Sequence, residues 1–349
     1  MAAMMASSAA AHVQTVRVGE QTLTVRDVQP ADRSSVLALH ERVFGPGATP
    51  AWFEWKYGSG ADQGRSEGVG VWHEGALIAH CAGIPRRLWR AGSSIEGLQI
   101  GDVMVDPGWR GILTRRGPFF HASQRLYATR LGKLGQRPFQ LGFGFPNERH
   151  MRLAVKSHLA YDGGRLHDLR WSTSDPTGQT ALHWSWRWEA MAHDDPSTLD
   201  EIDRAWLAMR REGAAMTLGE RDHRYVKWRY LDRPDQQYQL FRLRHVWPSR
   251  KVGIAVMRLR QPQSQWLDWI GPRKWLIAAC RACRAQAAQF GAQELAAWAS
   301  PLVVDALRDS AWRHNSVTAC LGIPASSDLI EADVPQLNWW LMGGDTDFL

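Results

Sequence analysis

The sequence lacks any run of about 18 apolar residues, the length that a helix needs to cross a bilayer, which excludes a spanning helix. Residues 1–11 lack both the basic and the apolar stretch of a secretory signal. The four cysteines, Cys81, Cys280, Cys283 and Cys320, are too few and too scattered for a disulfide framework. These absences predict a protein that folds in the reducing cytoplasm.

Several common catalytic motifs are also missing. The chain has no Gly-x-Ser-x-Gly elbow of a serine hydrolase and no Gly-Lys-Ser/Thr loop of a nucleotide kinase. Cys280 and Cys283 form one Cys-x-x-Cys pair inside a predicted helix, without a second pair of ligands. We therefore predict no metal site and disfavour hydrolase and kinase chemistry.

Charge is the first positive signal. The 42 Lys+Arg residues outnumber the 35 Asp+Glu residues, which gives a net charge of +7, and arginine dominates the basic set. Because a guanidinium group donates two parallel hydrogen bonds to phosphate, an anionic ligand is favoured. Charge alone is a weak argument for nucleic acid, which we disfavour as a partner. The sequence gives no oligomeric state.

A weak internal repeat organises the chain. At 349 residues it exceeds what one compact core usually holds. In each half a strand is followed by a helix, a Trp-basic-Tyr tripeptide, further strands, a helix, a strand and another helix start. The tripeptides are Trp55-Lys56-Tyr57 and Trp228-Arg229-Tyr230, and the turn-forming residues 175–178 lie between the halves. We predict a flexible tail over residues 1–22 and domains over 23–178 and 179–349.

A glycine- and arginine-rich loop follows a predicted strand at residues 98–105, and a helix is predicted to begin at Pro118. Strand, glycine-containing loop and helix start together favour phosphate binding, because backbone N–H groups and the helix N-terminus both attract anions. The alternative is a basic surface turn that binds nothing. The predicted phosphate-binding residues are Arg110, Gly111, Arg115, Arg116 and Gly117.

This loop resembles the acyl-CoA-binding signature of the GNAT acetyltransferases. The run Val105-Asp106-Pro107-Gly108-Trp109-Arg110-Gly111 is similar to the family pattern Val-x-Pro-x-x-Arg-Gly, and Phe145-Pro146-Asn147 resembles a second family signature. Two departures are visible. Leu113 and Arg115 stand where the family has further glycines, and Ala154 stands where many members have a tyrosine that protonates the leaving thiolate.

The resemblance implies a mixed α/β fold of two GNAT-like domains, each a central, mostly antiparallel sheet flanked by helices, with middle strands that splay apart for the donor. The second half lacks the signature, so it is expected to be degenerate and to shape the acceptor cleft. Besides the loop, the resemblance assigns donor binding to Val103, Met104, Val105 and Asn147.

Catalytic candidates lie around the same strand. Asp102, or Glu96 just before it, is the candidate base, and partial burial is expected to raise the pKa of Asp102. The alternative for Asp102 is a structural carboxylate. His150, His121 and Tyr161 are the candidate acids.

The resemblance implies an N-acyltransferase that uses an acyl-CoA, acetyl-CoA foremost, as co-substrate. The expected acceptor is a primary amine of a small molecule, such as an amino sugar or an amino acid derivative. Two alternatives stay open: a tRNA-dependent aminoacyl transferase of the tandem-GNAT type, and a non-catalytic module that binds acyl-CoA or another anion.

Overall fold

The computed structural model describes residues 13–58, 67–110, 116–174, 184–193, 195–247, 249–346 and 349. Among these residues no helix has the length and apolarity needed to cross a membrane.

In the described part of the first half, strands alternate with four α-helices, and three of these helices have a clear start signal. Thr49 and Asn147 cap two of the helices through their side chains, and proline occupies the first position of two. In chain order its elements are β1 Gln14–Val18, β2 Gln21–Asp27, α1 Arg33–Phe44, α2 Pro50–Tyr57, β3 Glu67–His73, β4 Ala76–Arg90, β5 Ser93–Val105, α3 Pro118–Arg130, β6 Leu141–Gly144, α4 Glu148–Lys156 and β7 Ala160–Ser172.

The first strand corrects one expectation. β1 and the start of β2 lie within residues 1–22, which we expected to be a flexible tail. The two strands form an antiparallel hairpin that turns at Gly19, whose φ of +63° suits glycine. The hairpin is stable in this place because Val18, Leu23 and Val25 point into the core.

The second half repeats this order. Asp195 caps its first helix, and a π-helix at Lys227–Leu231 stands where α2 stands in the first half. Its elements are β8 Trp186–Ala190, α5 Pro196–Glu212, β9 Thr217–Gly219, α6 His223–Val226, β10 Gln239–His245, β11 Arg250–Arg258, β12 Gln263–Ile270, α7 Leu276–Gln289, β13 Glu294–Ala299, α8 Pro301–Ala306, β14 His314–Pro324 and β15 Trp339–Trp340.

All the strands belong to one continuous sheet, in the order β1-β2-β3-β4-β5-β6-β14-β7-β13-β12-β11-β10-β8, with β9 and β15 off this path. The pairing is antiparallel except at β5–β6, β12–β13 and β9–β15. This confirms the mixed α/β fold with a mostly antiparallel sheet. The halves are joined by strand exchange, because β14 of the second half lies between β6 and β7 of the first.

The two Trp-basic-Tyr tripeptides contact each other across the halves. The rings of Trp55 and Trp228 stack with centroids 5.5 Å apart. Each indole N–H donates to the other residue's backbone carbonyl, at 2.7 Å from Trp55 and 3.0 Å from Trp228. This reciprocal pair gives the repeat an approximate two-fold centre.

The helices of the first half cover both faces of its sheet. Phe120 and Leu126 of α3 pack on one face with Val69 and Leu98. On the other face, Leu39 of α1 packs with a separate cluster that includes Met104 of β5. Any opening between β5 and β6 therefore connects the α3 face with the α1 face.

Candidate active site

A cavity opens where β5 and β6 separate. Their parallel ladder starts at Gly97 and Leu141 and ends at Ile100 and Gly144. A Cβ atom on Gly144 would lie 2.9 Å from the Ile100 carbonyl oxygen, so glycine allows the strands to approach closely just before they diverge. Beyond this point the cavity has a volume of about 320 Å³.

A bulge in β5 shapes one wall of this cavity. His80 pairs with Met104 and Ala82 pairs with Gly101, so the regular register is broken over the two residues between them. One of these, Asp102, has a φ of +42°, a strained value for a residue other than glycine. The bulge places Asp102 and Val103 against the cavity.

A larger groove of about 960 Å³ adjoins the cavity on the α3 face and shares Phe119 and Tyr127 with it. Pro118 begins α3 at the groove, so the positive end of the helix dipole points there. The groove is also lined by cationic side chains that come from the loop before α3 and from α4: Arg110, Arg116, Arg149 and Lys156. The groove therefore suits a polyanion, and the cavity suits an apolar group.

Asp102 belongs to a buried cluster with α2. Lys56 Nζ lies 2.8 Å from Asp102 Oδ1, and the Tyr57 hydroxyl donates to Asp102 Oδ2. The side chains of Lys56 and Asp102 are only 3% and 8% exposed. Burial alone would raise the pKa of Asp102, but the charge and hydrogen bond of Lys56 and the hydrogen bond of Tyr57 outweigh it, and the pKa is lowered. The expectation of a raised pKa is wrong.

His150 and Asn147 lie on the opposite wall. Asn147 Oδ1 accepts the backbone N–H of His150 at 2.9 Å and so caps α4. The His150 ring lines the cavity and meets the edge of the Phe119 ring, with centroids 4.5 Å apart. Burial lowers the pKa of His150, so the imidazole is neutral near pH 7 and able to accept a proton.

The family model of the acetyltransferase (GNAT) domain matches residues 24–152. Those residues form a GNAT domain. No curated protein matches the chain in sequence.

Solved structures resemble the fold along most of the chain. A probable N-acyltransferase of Enterococcus faecalis V583 is 13% identical, with 90% of this chain and 74% of that chain covered and a TM-score of 0.64. A GCN5-related N-acetyltransferase of Kribbella flavida is 16% identical, with 89% of this chain and 73% of that chain covered and a TM-score of 0.60. Saccharomyces cerevisiae N-myristoyltransferase with bound myristoyl-CoA is 9% identical, with 89% of this chain and 84% of that chain covered and a TM-score of 0.54. At these identities the likeness concerns the fold.

The residues predicted to bind the donor lie in different places relative to the cavity and the groove. Val103 lines the cavity, and Val105, Arg110, Arg116 and Gly117 line the groove. The Met104 side chain is instead buried beneath α1. Gly111 and Arg115 lie outside the described residues.

Among the catalytic candidates, the cavity brings together Asp102 and His150 only. Glu96 lies six residues earlier on β5, next to Arg87 of β4. Tyr161 pairs with Ile323 within the sheet, and His121 is on α3 without facing the cavity. On β5 the place where the strands diverge decides between the two carboxylates, because Asp102 lies beyond the end of the β5–β6 ladder and Glu96 lies before its start.

Sequence reasoning missed the partners of Asp102 and two walls of the cavity. Lys56 and Tyr57 were noticed only as part of a repeat, although a basic residue beside a tyrosine in both halves is also a signal for a carboxylate partner. The second half repeats the tyrosine contact, since the Tyr230 hydroxyl donates to Asp268 Oδ2 at 3.0 Å, but the cation that pairs with Asp268 is Arg221 and not Arg229. Trp298 of β13 and Thr318 of β14 line the cavity, and no local pattern indicated them.

The equivalent splay in the second half is filled by the chain itself. The β12–β13 ladder ends at Gln265 and Ala296, and residues Gly343–Asp345 lie against both strands beyond it. A Cβ atom on Gly344 would lie 3.1 Å from the Leu267 carbonyl oxygen. Asp345 is also held by Arg221 at 2.5 Å, with both side chains buried. Among the described residues, Gly343–Asp345 therefore occupy the place in the second splay that corresponds to the cavity between β5 and β6.

Proposed function

We propose that this protein transfers an acyl group, acetyl foremost, from CoA to a primary amine of a small molecule. One observation carries the proposal: a cation-lined groove continues into an apolar cavity at the splay between β5 and β6. CoA fits this arrangement, because its anionic phosphates match the groove and its pantetheine arm, which ends in the thioester, matches the cavity. The GNAT domain provides the same assignment in general terms, as an acyl-CoA-dependent N-acyltransferase.

The groove orients the donor by charge. Arg116 and Arg149 stand near the start of α3 and on α4, so the phosphates are attracted from two sides and by the helix dipole. The cavity has no lysine or arginine among its described lining residues. The phosphates therefore remain in the groove while the acyl end enters the cavity.

Acyl transfer then needs a proton acceptor and little else. The amine nitrogen attacks the thioester carbonyl carbon, the C–S bond breaks, and the electron pair leaves with the CoA sulfur. We assign the proton released by the amine to His150, whose lowered pKa keeps it neutral and whose ring lines the cavity. From there the proton returns to the thiolate. Asp102 is a poorer base because its pKa is lowered and both carboxylate oxygens already accept hydrogen bonds.

Donor binding and turnover test this assignment separately. Titration calorimetry with acetyl-CoA measures binding, and release of free CoA thiol in the presence of amines measures transfer. Arg110→Ala with Arg116→Ala is expected to weaken binding by about 1–3 kcal/mol, as lost charge-assisted contacts do. Arg308→Ala is the matched control, because Arg308 is 73% exposed on the second half, outside the groove.

Three results are distinguishable. Weaker binding in the double variant alone supports the groove as the phosphate site. Equal binding in all three proteins contradicts that site. Tight binding without thiol release across an amine panel favours the non-catalytic module over the transferase.

A further inference from the structure

The cavity has two ends that differ in chemistry. The end shared with the groove is formed by Phe119 and Tyr127 of α3. Phe44 of α1, Trp298 and Thr318 line the cavity but not the groove, and we take them to mark the other end. Phe44 is 57% exposed, so this end meets solvent on the α1 face of the sheet. Given the proposed function, the donor occupies the first end, and the acceptor enters at the second.

Few polar groups are available to an acceptor at this end. Among the described lining residues, the only formally charged side chain is Asp102, and Lys56 behind it balances its charge. Asn147 Oδ1 is already used as a helix cap, and the other polar side chains of the described lining are those of Tyr127, His150 and Thr318. A carboxylate on the acceptor would find no cation here, and the hydroxyls of a sugar would find few partners. Buried polar groups without partners are costly.

Apolar surface is abundant by contrast. Phe44, Trp298, Phe145 and Met151 all line the cavity. An alkyl chain or an aromatic ring gains free energy by leaving water for such surroundings. The Asp102 carboxylate supplies an acceptor for the amine N–H groups, which orients the amine toward the splay.

We infer that the acceptor is a primary amine carried on an apolar chain or an aromatic ring, and that Trp298 selects it. This inference rests on the proposed function and narrows its acceptor class, away from the amino sugars and amino acid derivatives that the sequence alone suggested. It also gives the second half a role in the reaction, because Trp298 comes from β13.

Matched acceptors test the inference directly. With acetyl-CoA saturating, thiol release is measured for phenethylamine and phenylalanine, which share a ring and differ by a carboxylate, and for glucosamine. We expect kcat/KM for phenethylamine to exceed that of the other two by about 30-fold or more, the factor set by one buried polar group without a partner. The amine of phenylalanine is the less basic of the pair, so a larger fraction of it is unprotonated at a given pH. This difference alone would favour phenylalanine and therefore opposes the expected result.

A variant then locates the selection. Trp298→Ala is expected to raise KM for phenethylamine about tenfold or more with KM for acetyl-CoA unchanged, and Trp298→Phe should restore much of the loss. Trp247→Ala is the control, because Trp247 is 81% exposed and does not line the cavity. Calorimetry with acetyl-CoA verifies that each variant is folded.

Other outcomes overturn the inference. Equal or better turnover of phenylalanine or glucosamine refutes it while leaving the transferase intact. If Trp298→Ala changes the preference between acetyl-CoA and octanoyl-CoA but not between amines, this end of the cavity holds the acyl chain instead. If acetyl-CoA neither binds nor is consumed with any amine, the proposed function itself fails.

Discussion

Breaking the ion pair between Lys56 and Asp102 should destabilise the protein far more than removing both partners. The two side chains are 3% and 8% exposed and lie 2.8 Å apart. Removing one charge leaves the other buried without compensation, which costs about 3–5 kcal/mol. We therefore expect Asp102→Asn and Lys56→Met each to lower the free energy of unfolding by about 3 kcal/mol or more.

Proton equilibria set an upper bound to these costs. In Asp102→Asn, the buried lysine can escape its charge by losing a proton, which at pH 7 costs about 4.6 kcal/mol for an amine of ordinary pKa near 10.4. In Lys56→Met, protonating the carboxylate costs about 4.2 kcal/mol from an ordinary pKa near 3.9. The double variant buries neither charge, so its loss should be smaller than the sum of the single losses by about 2 kcal/mol or more.

Urea unfolding at pH 7, followed by tryptophan fluorescence and by far-ultraviolet circular dichroism, measures the four free energies. Single losses below about 1 kcal/mol that add in the double variant would refute the buried pair. The pH dependence gives a second check. Because the pKa of Asp102 is lowered in the folded protein, its stabilisation is present above the unfolded pKa near 3.9 and is lost as pH falls through the folded pKa. The gap between wild type and Lys56→Met should therefore narrow as the pH falls below about 3.9.

The same double variant separates two roles of Asp102. If Asp102 were the base, removing it would lower turnover about a hundredfold or more even in a folded protein. With His150 as the base, we expect the double variant to keep turnover within about tenfold of wild type, because the amide oxygen introduced by Asp102→Asn still accepts a hydrogen bond from the amine. A hundredfold loss with normal folding and normal acetyl-CoA binding would return the base to Asp102.

His150→Gln should lower kcat by about a hundredfold. In wild type, kcat should fall as the pH drops through the pKa of His150, which lies below its ordinary value, and the variant should lose this dependence on pH. An unchanged pH profile of kcat would exclude His150 as the base. Calorimetry should give one acetyl-CoA per chain because Gly343–Asp345 fill the second splay, and two equivalent sites would contradict that filling. Gly344→Ala should destabilise the protein by about 1–3 kcal/mol, because its Cβ atom would overlap Tyr230. An unchanged urea midpoint would show that Gly343–Asp345 can shift to make room for the methyl group.

Local patterns predicted much of the element order correctly. The strand predicted at residues 98–105 lies within β5, and α3 begins at Pro118, where a helix start was predicted. These signals depend on neighbours along the chain, which one sequence contains.

Pairing partners could not be predicted in this way. Nothing in residues 160–172 or 314–324 indicates that β7 and β14 lie side by side, because the contact joins segments far apart in sequence. The same limit hid Trp298 and Thr318. It also explains the wrong expectation for Asp102, since the burial was foreseen and the charge of Lys56, 46 residues away, was not.

The exchange of β14 also bears on how such a chain changes over time. A duplicated half that loses its ligand site is normally free to be deleted. Here deletion would remove the strand that fills the sheet between β6 and β7, and the Trp228 ring that stacks on Trp55. The second half therefore completes the sheet of the first half, and it also contributes Trp298 to the lining of the cavity.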